Sequence, residues 1–148
     1  MIPRKKTILI ASVLVLFALL LPGCRRAPDE AQVREAIAAM AQAAEAGSAS
    51  NVGKPLSEDF DGNGGSLDRP KLTGMVHLLA LRGDHVGVTM GPVSIDRRGE
   101  RMVATFTVTL SSGGKLLPDR LGVYRVESAW RQEDGDWRCY TATWERVM

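Results

Sequence analysis

The chain has 148 residues, 24% charged and 5% aromatic, with a formal net charge of +2 and two cysteines, Cys24 and Cys139. Arg4, Lys5 and Lys6 precede an apolar run from Ile8 to Leu21, so the chain beyond Gly23 carries a formal −1. That balance, with so few aromatic rings for base stacking, excludes nucleic acid as an expected partner, and the length allows one domain with a single core.

A basic start followed by an apolar run shorter than the ~20 residues of a membrane-spanning helix is the layout of a secretory leader. The run closes on Leu21-Pro22-Gly23-Cys24, which resembles the bacterial lipobox, in which the cysteine is diacylated on sulfur and becomes the new N-terminus. The resemblance implies a leader over residues 1–23, lipidation of Cys24 and a palmitate-type anchor in the cell envelope. Arg25, in place of Asp after the acylated cysteine, is similar to the sorting pattern for the periplasmic face of the outer membrane. Each buried CH₂ adds ~0.8 kcal/mol, so more than one chain holds where a single myristoyl does not. Residues 24–28 form a tether reaching at most ~15 Å, which keeps the domain close to the bilayer, with Arg25 and Arg26 meeting lipid phosphates or water. With Cys24 acylated, Cys139 has no partner within the chain and is expected as a buried small hydrophobe.

The domain proper is expected over residues 29–148. From Asp29 to Ala46, Val33, Ile37, Met40, Ala41 and Ala44 recur at helical spacing, with Asp29 and Glu30 at the positive end of the helix. A short helix is expected over Val52–Leu56. A further helix over Arg69–Leu81 carries Leu72, Met75, Val76, Leu79 and Ala80 on one stripe, with Asp68 or Ser66 as cap and Pro70 in the first turn. His77 and His85 read as surface or half-buried residues.

Between these helices stands Asp59-Phe60-Asp61-Gly62-Asn63-Gly64, which has the opening spacing of a calcium-binding EF-hand loop. Position 12, where a bidentate Glu closes such a site, falls on Pro70. The segment is therefore expected as a helix-to-helix loop, built from residues that tolerate tight turns, and no metal site is expected.

After Gly83 the apolar period changes from 3.6 to 2. His85–Asp96 reads as a strand broken at Gly91-Pro92. Met102, Ala104, Phe106, Val108 and Leu110 give the next strand one apolar face. Ser111–Pro118 reads as loop. Two last strands, Val123–Gln132 and Trp137–Arg146, flank the turn Glu133-Asp134-Gly135-Asp136. Simple pairing across that turn puts Val126, Ser128 and Trp130 on one face with Cys139, Thr141 and Thr143, and puts Arg125, Glu127, Arg131, Arg138 and Tyr140 on the other.

The fold class is thus α+β, with N-terminal helices packed on a curved antiparallel β-sheet. The order of elements, with Leu56-Ser57-Glu58-Asp59-Phe60 and the closing Trp130-Arg131-Gln132-Glu133-Asp134-Gly135-Asp136-Trp137-Arg138, resembles the nuclear-transport-factor-2-like (NTF2-like) superfamily. That group includes ketosteroid isomerase, scytalone dehydratase and the SnoaL-like polyketide cyclases, and a cystatin-like roll has the same elements. The resemblance implies a cone-shaped pocket lined by Phe106, Val108, Ser128, Trp130, Cys139 and Thr141, with Asp61 at its mouth as the candidate carboxylate. No acid or imidazole on the expected inner face can pair with Asp61, and there is no nucleophile elbow, phosphate loop or metal-ligand cluster, so no cofactor is expected. Two functions remain: a non-catalytic domain binding a small apolar ligand or an envelope protein, and an isomerase, cyclase or dehydratase using Asp61.

Overall fold

In the computed structural model, residues 26–112 and 122–148 are described. The leader, Cys24 and most of the expected loop after Ser111 lie outside them. Among the described residues no helix is long and apolar enough to cross a membrane.

Helix α1 spans Asp29–Glu45, with Asp29 and Glu30 in its first turn, and buries Val33, Ile37 and Ala43. The short helix α2 runs Ala49–Gly53, a few residues earlier than the spacing predicts. Helix α3 covers Arg69–Leu81 as expected; the Asp68 carboxylate accepts from the Lys71 N–H at 2.8 Å and a proline stands in the first turn. None of the α3 residues is fully buried, and Met75, Leu78 and Leu81 are exposed. An apolar helix this exposed lies over the sheet rather than inside the core.

Among the described residues seven strands form one sheet: β1 Leu56–Gly62, β2 Leu67–Asp68, β3 Val86–Met90, β4 Ser94–Arg98, β5 Arg101–Ser112, β6 Gly122–Glu133 and β7 Asp136–Arg146. The order is β2-β1-β7-β6-β5-β3, and β4 also pairs with β5. The break at Gly91-Pro92 splits one expected strand into β3 and β4, which occupy successive lengths of the same edge of β5. Proline cannot donate to a ladder, so the edge is interrupted there. All pairs are antiparallel except β1 with β7, which is parallel.

The expected loop at Asp59–Gly64 is therefore corrected to a strand and a turn. β1 ends at Gly62, and a Cβ there would lie 2.7 Å from the Trp144 ring, so glycine lets the strand pass beneath the indole. Asn63 continues the pairing with its side chain: Oδ1 accepts from the Trp144 N–H at 2.8 Å, while its own N–H donates to the Ala142 carbonyl at 2.9 Å. Its φ of 49°, followed by 65° at Gly64, turns the chain back into β2. Asx and glycine residues supply that left-handed turn at least cost.

The second correction concerns register. Trp130 faces Cys139 as expected, but Ala129 faces Thr141 and Ser128 faces Ala142, because Tyr140 is an extra residue in β7. This β-bulge reverses the alternation beyond it. Ala142 and Trp144 consequently take the inner face expected for Thr141 and Thr143. Trp130, Leu56, Met102 and Val33 anchor the core beside the β6–β7 turn, with Trp137, Cys139 and Phe60 around them.

Candidate functional site

The concave face of the sheet and the three helices enclose a cavity of about 610 Å³. α1 contributes Ile37, Met40 and Ala44, α3 contributes Leu72, Met75 and Val76, and the sheet contributes the alternate residues of β5, β6 and β7. Among the described residues its wall contains no Asp, Glu, His, Lys or Arg. The cavity is graded along its length. At the end near the β6–β7 turn, Val52, Leu56, Trp130 and Cys139 are at most 3% exposed, whereas Leu110, Tyr124 and Trp144 are half-buried and Met75 is 42% exposed. Among the described residues, burial of the wall thus falls from the β6–β7 turn towards the end of the sheet where β5 finishes and β6 begins.

Of the residues expected in the pocket, Phe106, Val108, Ser128, Trp130 and Cys139 line it, and Asp61 and Thr141 do not. The bulge turns Thr141 to the outer face. Asp61 is exposed on β1, where its carboxylate accepts from the Gly65 N–H and closes the turn before β2. Met40, Phe60, Tyr124, Ala142 and Trp144 join the wall instead. An alternation that switched at Tyr140 would have found Ala142 and Trp144, but nothing local in the sequence marks the switch.

The polar groups in the wall are largely satisfied from within the protein. Trp130 Nε1 donates to Ser128 Oγ at 2.9 Å, and Ser128 Oγ donates to the Ala104 carbonyl at 3.4 Å. The Cys139 thiol lies 3.4 Å from the Thr141 carbonyl, and burial pushes its pKa up to about 12. It is a neutral thiol at physiological pH, which removes it as a nucleophile. No buried side-chain nitrogen or oxygen lacks a hydrogen-bond partner among the described residues. Among the described residues the wall presents no carboxylate or imidazole; its hydroxyl groups are those of Ser128 and Tyr124.

The charged chemistry of this domain lies on the opposite, outer face. Arg131 donates to Asp59 and to Glu133 at 2.7 Å each, and its guanidinium stacks 4.9 Å from the centre of the Tyr140 ring. The hydrogen bond from Arg131, aided by one from Ser57, holds the Asp59 carboxyl below the usual aspartate range. Asp29 is lowered in the same way by Trp137 Nε1 at 3.1 Å and by Arg97 at 3.2 Å. Among the described residues no three His, Cys, Asp or Glu side chains are grouped to hold a metal ion.

A curved, unclosed mixed sheet wrapped by helices around an apolar cone is the NTF2-like, cystatin-like fold. The chain superposes on an NTF2-like protein from Cytophaga hutchinsonii with a TM-score of 0.68 and 10% identity, covering 81% of this chain and 99% of that one. An NTF2-like protein with a cystatin-like fold from Novosphingobium aromaticivorans gives 0.64 at 18% identity, over 93% and 88% of the two chains. A member of the NTF2-like family from Streptomyces avermitilis, whose name proposes a dehydratase, gives 0.62 at 16% identity over 79% and 94%. At these identities the likeness establishes the fold alone. No family profile matches the sequence, and no curated protein is significantly similar to it.

Proposed function

We propose that this protein is a lipid-anchored component of the bacterial envelope whose domain binds a small, uncharged apolar ligand without transforming it. The observation that carries this reading is the cavity of about 610 Å³ whose wall, among the described residues, carries no Asp, Glu, His, Lys or Arg. Its volume falls within the ~300–1,000 Å³ common for small-molecule sites. An ionised ligand would lose its hydration there and find no counter-charge, which is unfavourable by several kcal/mol. The alternative, an enzyme using Asp61, needs that carboxylate inside the cone facing a second polar group. Asp61 instead occupies an exposed position on β1, bonded to its own turn.

The test is a fluorescence titration of the chain from Arg26 onward with neutral N-phenyl-1-naphthylamine. Saturable uptake is expected, with loss of uptake in Val126→Glu, which places a carboxylate in the wall, while circular dichroism confirms that the variant is folded. Absence of saturable uptake by the unaltered chain refutes the binding reading.

A further inference from the structure

The inner face of β5, β6 and β7 is laid out in rows that cross the strands. Ala104, Ser128 and Ala142 stand in register in one row, and Phe106, Val126 and Trp144 in the next. The first row is small and carries one hydroxyl; the second sets an aromatic ring on either side of a valine. Phe106, Val126 and Trp144 all line the cavity and are only half-buried. Trp144 is braced by β1, where a Cβ on Gly62 would lie 2.7 Å from its ring. Strands lie ~4.8 Å apart, so Phe106 and Trp144 are ~10 Å apart across the sheet, and a ring seated over Val126 stands ~5 Å from each, within the ~4.5–7 Å that aromatic pairs favour. α1 and α3 add the thioethers of Met40 and Met75 to the wall, and sulfur packs favourably against aromatic rings at ~5 Å. Ser128 follows ~7 Å along β6 from Val126. It is 4% exposed, and its Oγ is fixed by the Trp130 Nε1 donor at 2.9 Å. Its proton has the Ala104 carbonyl at 3.4 Å, beyond the ~2.5–3.0 Å of an ordinary O–H···O bond, so a closer acceptor in the cavity would draw it away.

On the reading of the cavity as a binding site, we infer that its ligand is an uncharged aromatic compound carrying a hydrogen-bond-accepting oxygen, with the ring over Val126 between Phe106 and Trp144 and the oxygen on the Ser128 hydroxyl. A ring meets aromatic partners on both sides of that row, whereas a saturated skeleton of the same volume gains only burial there. A carbonyl, ether or hydroxyl oxygen takes the Ser128 proton while the indole keeps its own acceptor, so no polar group of the wall is left unpaired. A carboxylate at the same point would meet no Lys, Arg or His in the wall among the described residues. Ser128 is thus the residue that sets which apolar molecules fit, and Phe106 with Trp144 sets their flatness.

Three compounds of similar shape test this on the full chain: 2-acetonaphthone, 2-isopropylnaphthalene, which lacks the acceptor, and 2-acetyldecalin, which lacks the aromatic ring. Infrared spectra of bound 2-acetonaphthone with a ¹³C-labelled carbonyl should show the stretch at lower frequency than in hexane. Ser128→Cys keeps an acceptor for the Trp130 indole but donates only weakly. It should move that band towards the hexane position and weaken 2-acetonaphthone several-fold by calorimetry, while 2-isopropylnaphthalene stays within about twofold. Phe106→Leu should weaken 2-acetonaphthone several-fold more than 2-acetyldecalin. A carbonyl band at the hexane position in the unaltered chain overturns the inference without any variant, as does an equal effect of Ser128→Cys on ketone and hydrocarbon or of Phe106→Leu on flat and saturated rings. Failure of the binding role itself is seen separately, as no uptake of any of the three compounds or of the naphthylamine.

Discussion

Truncating Trp130 is the sharpest perturbation of the pocket wall. The indole is 1% exposed, lies across from Cys139, and donates to a serine that is itself buried. Trp130→Ala removes the largest fully buried side chain, and such truncations cost ~3 to 5 kcal/mol because the surroundings close only partly on the void. Against a total stability of ~5 to 15 kcal/mol this is a large share. Ser128→Ala is a graded control. It keeps the packing but leaves Trp130 Nε1 buried without its acceptor, at ~1 to 3 kcal/mol. Arg131→Ala, on the outer face, loses two solvent-screened ion pairs whose guanidinium is 39% exposed, so it should cost the least of the three. Urea unfolding of the chain from Arg26 onward, followed by tryptophan fluorescence and circular dichroism, should order the losses Trp130, Ser128, Arg131. A Trp130→Ala loss no larger than that of Arg131→Ala would refute the inner-face assignment of β6 and the cavity built on it.

Cys139 should resist alkylation by iodoacetamide at pH 8 in the folded protein and react only on unfolding, as mass spectrometry would record. Its thiol is raised from the ordinary 9.0 to about 12, so the native state holds the proton more tightly; this contribution to stability is complete below pH 9 and is lost as pH climbs towards 12, which melts at stepped pH would detect. Asp59 should titrate below the usual aspartate range by carbon-detected NMR, and Arg131→Ala should return it upward, since the Arg131 hydrogen bond is the main cause of the shift. Cys24→Ser should abolish metabolic labelling with a fatty acid and leave an unprocessed precursor; label retained in the variant would refute acylation at that thiol.

Several elements were legible in the sequence because their causes are local. Helix α3 was readable from Asp68, Pro70 and the apolar stripe, since cap, proline and period all act within one or two turns. The β6–β7 hairpin was readable from Asp134-Gly135, where φ values of 51° and 83° suit those residues. The apolar face of β5 followed from strict alternation. What only the tertiary structure decided depends on partners far along the chain. β1 is a strand because β7, some eighty residues later, offers it a parallel edge; Leu56 and Phe60 alone among polar neighbours give no period-two signal. The glycine and asparagine after Asp61, suggestive of calcium in isolation, serve instead the Trp144 ring and the β7 backbone. The bulge at Tyr140 inverted the fate of Thr141 and Ala142, because a one-residue register change leaves composition unaltered and reverses every side chain beyond it. Chain order therefore determined that a helix-covered sheet would form, while pairing across the molecule decided which residues its cavity would present.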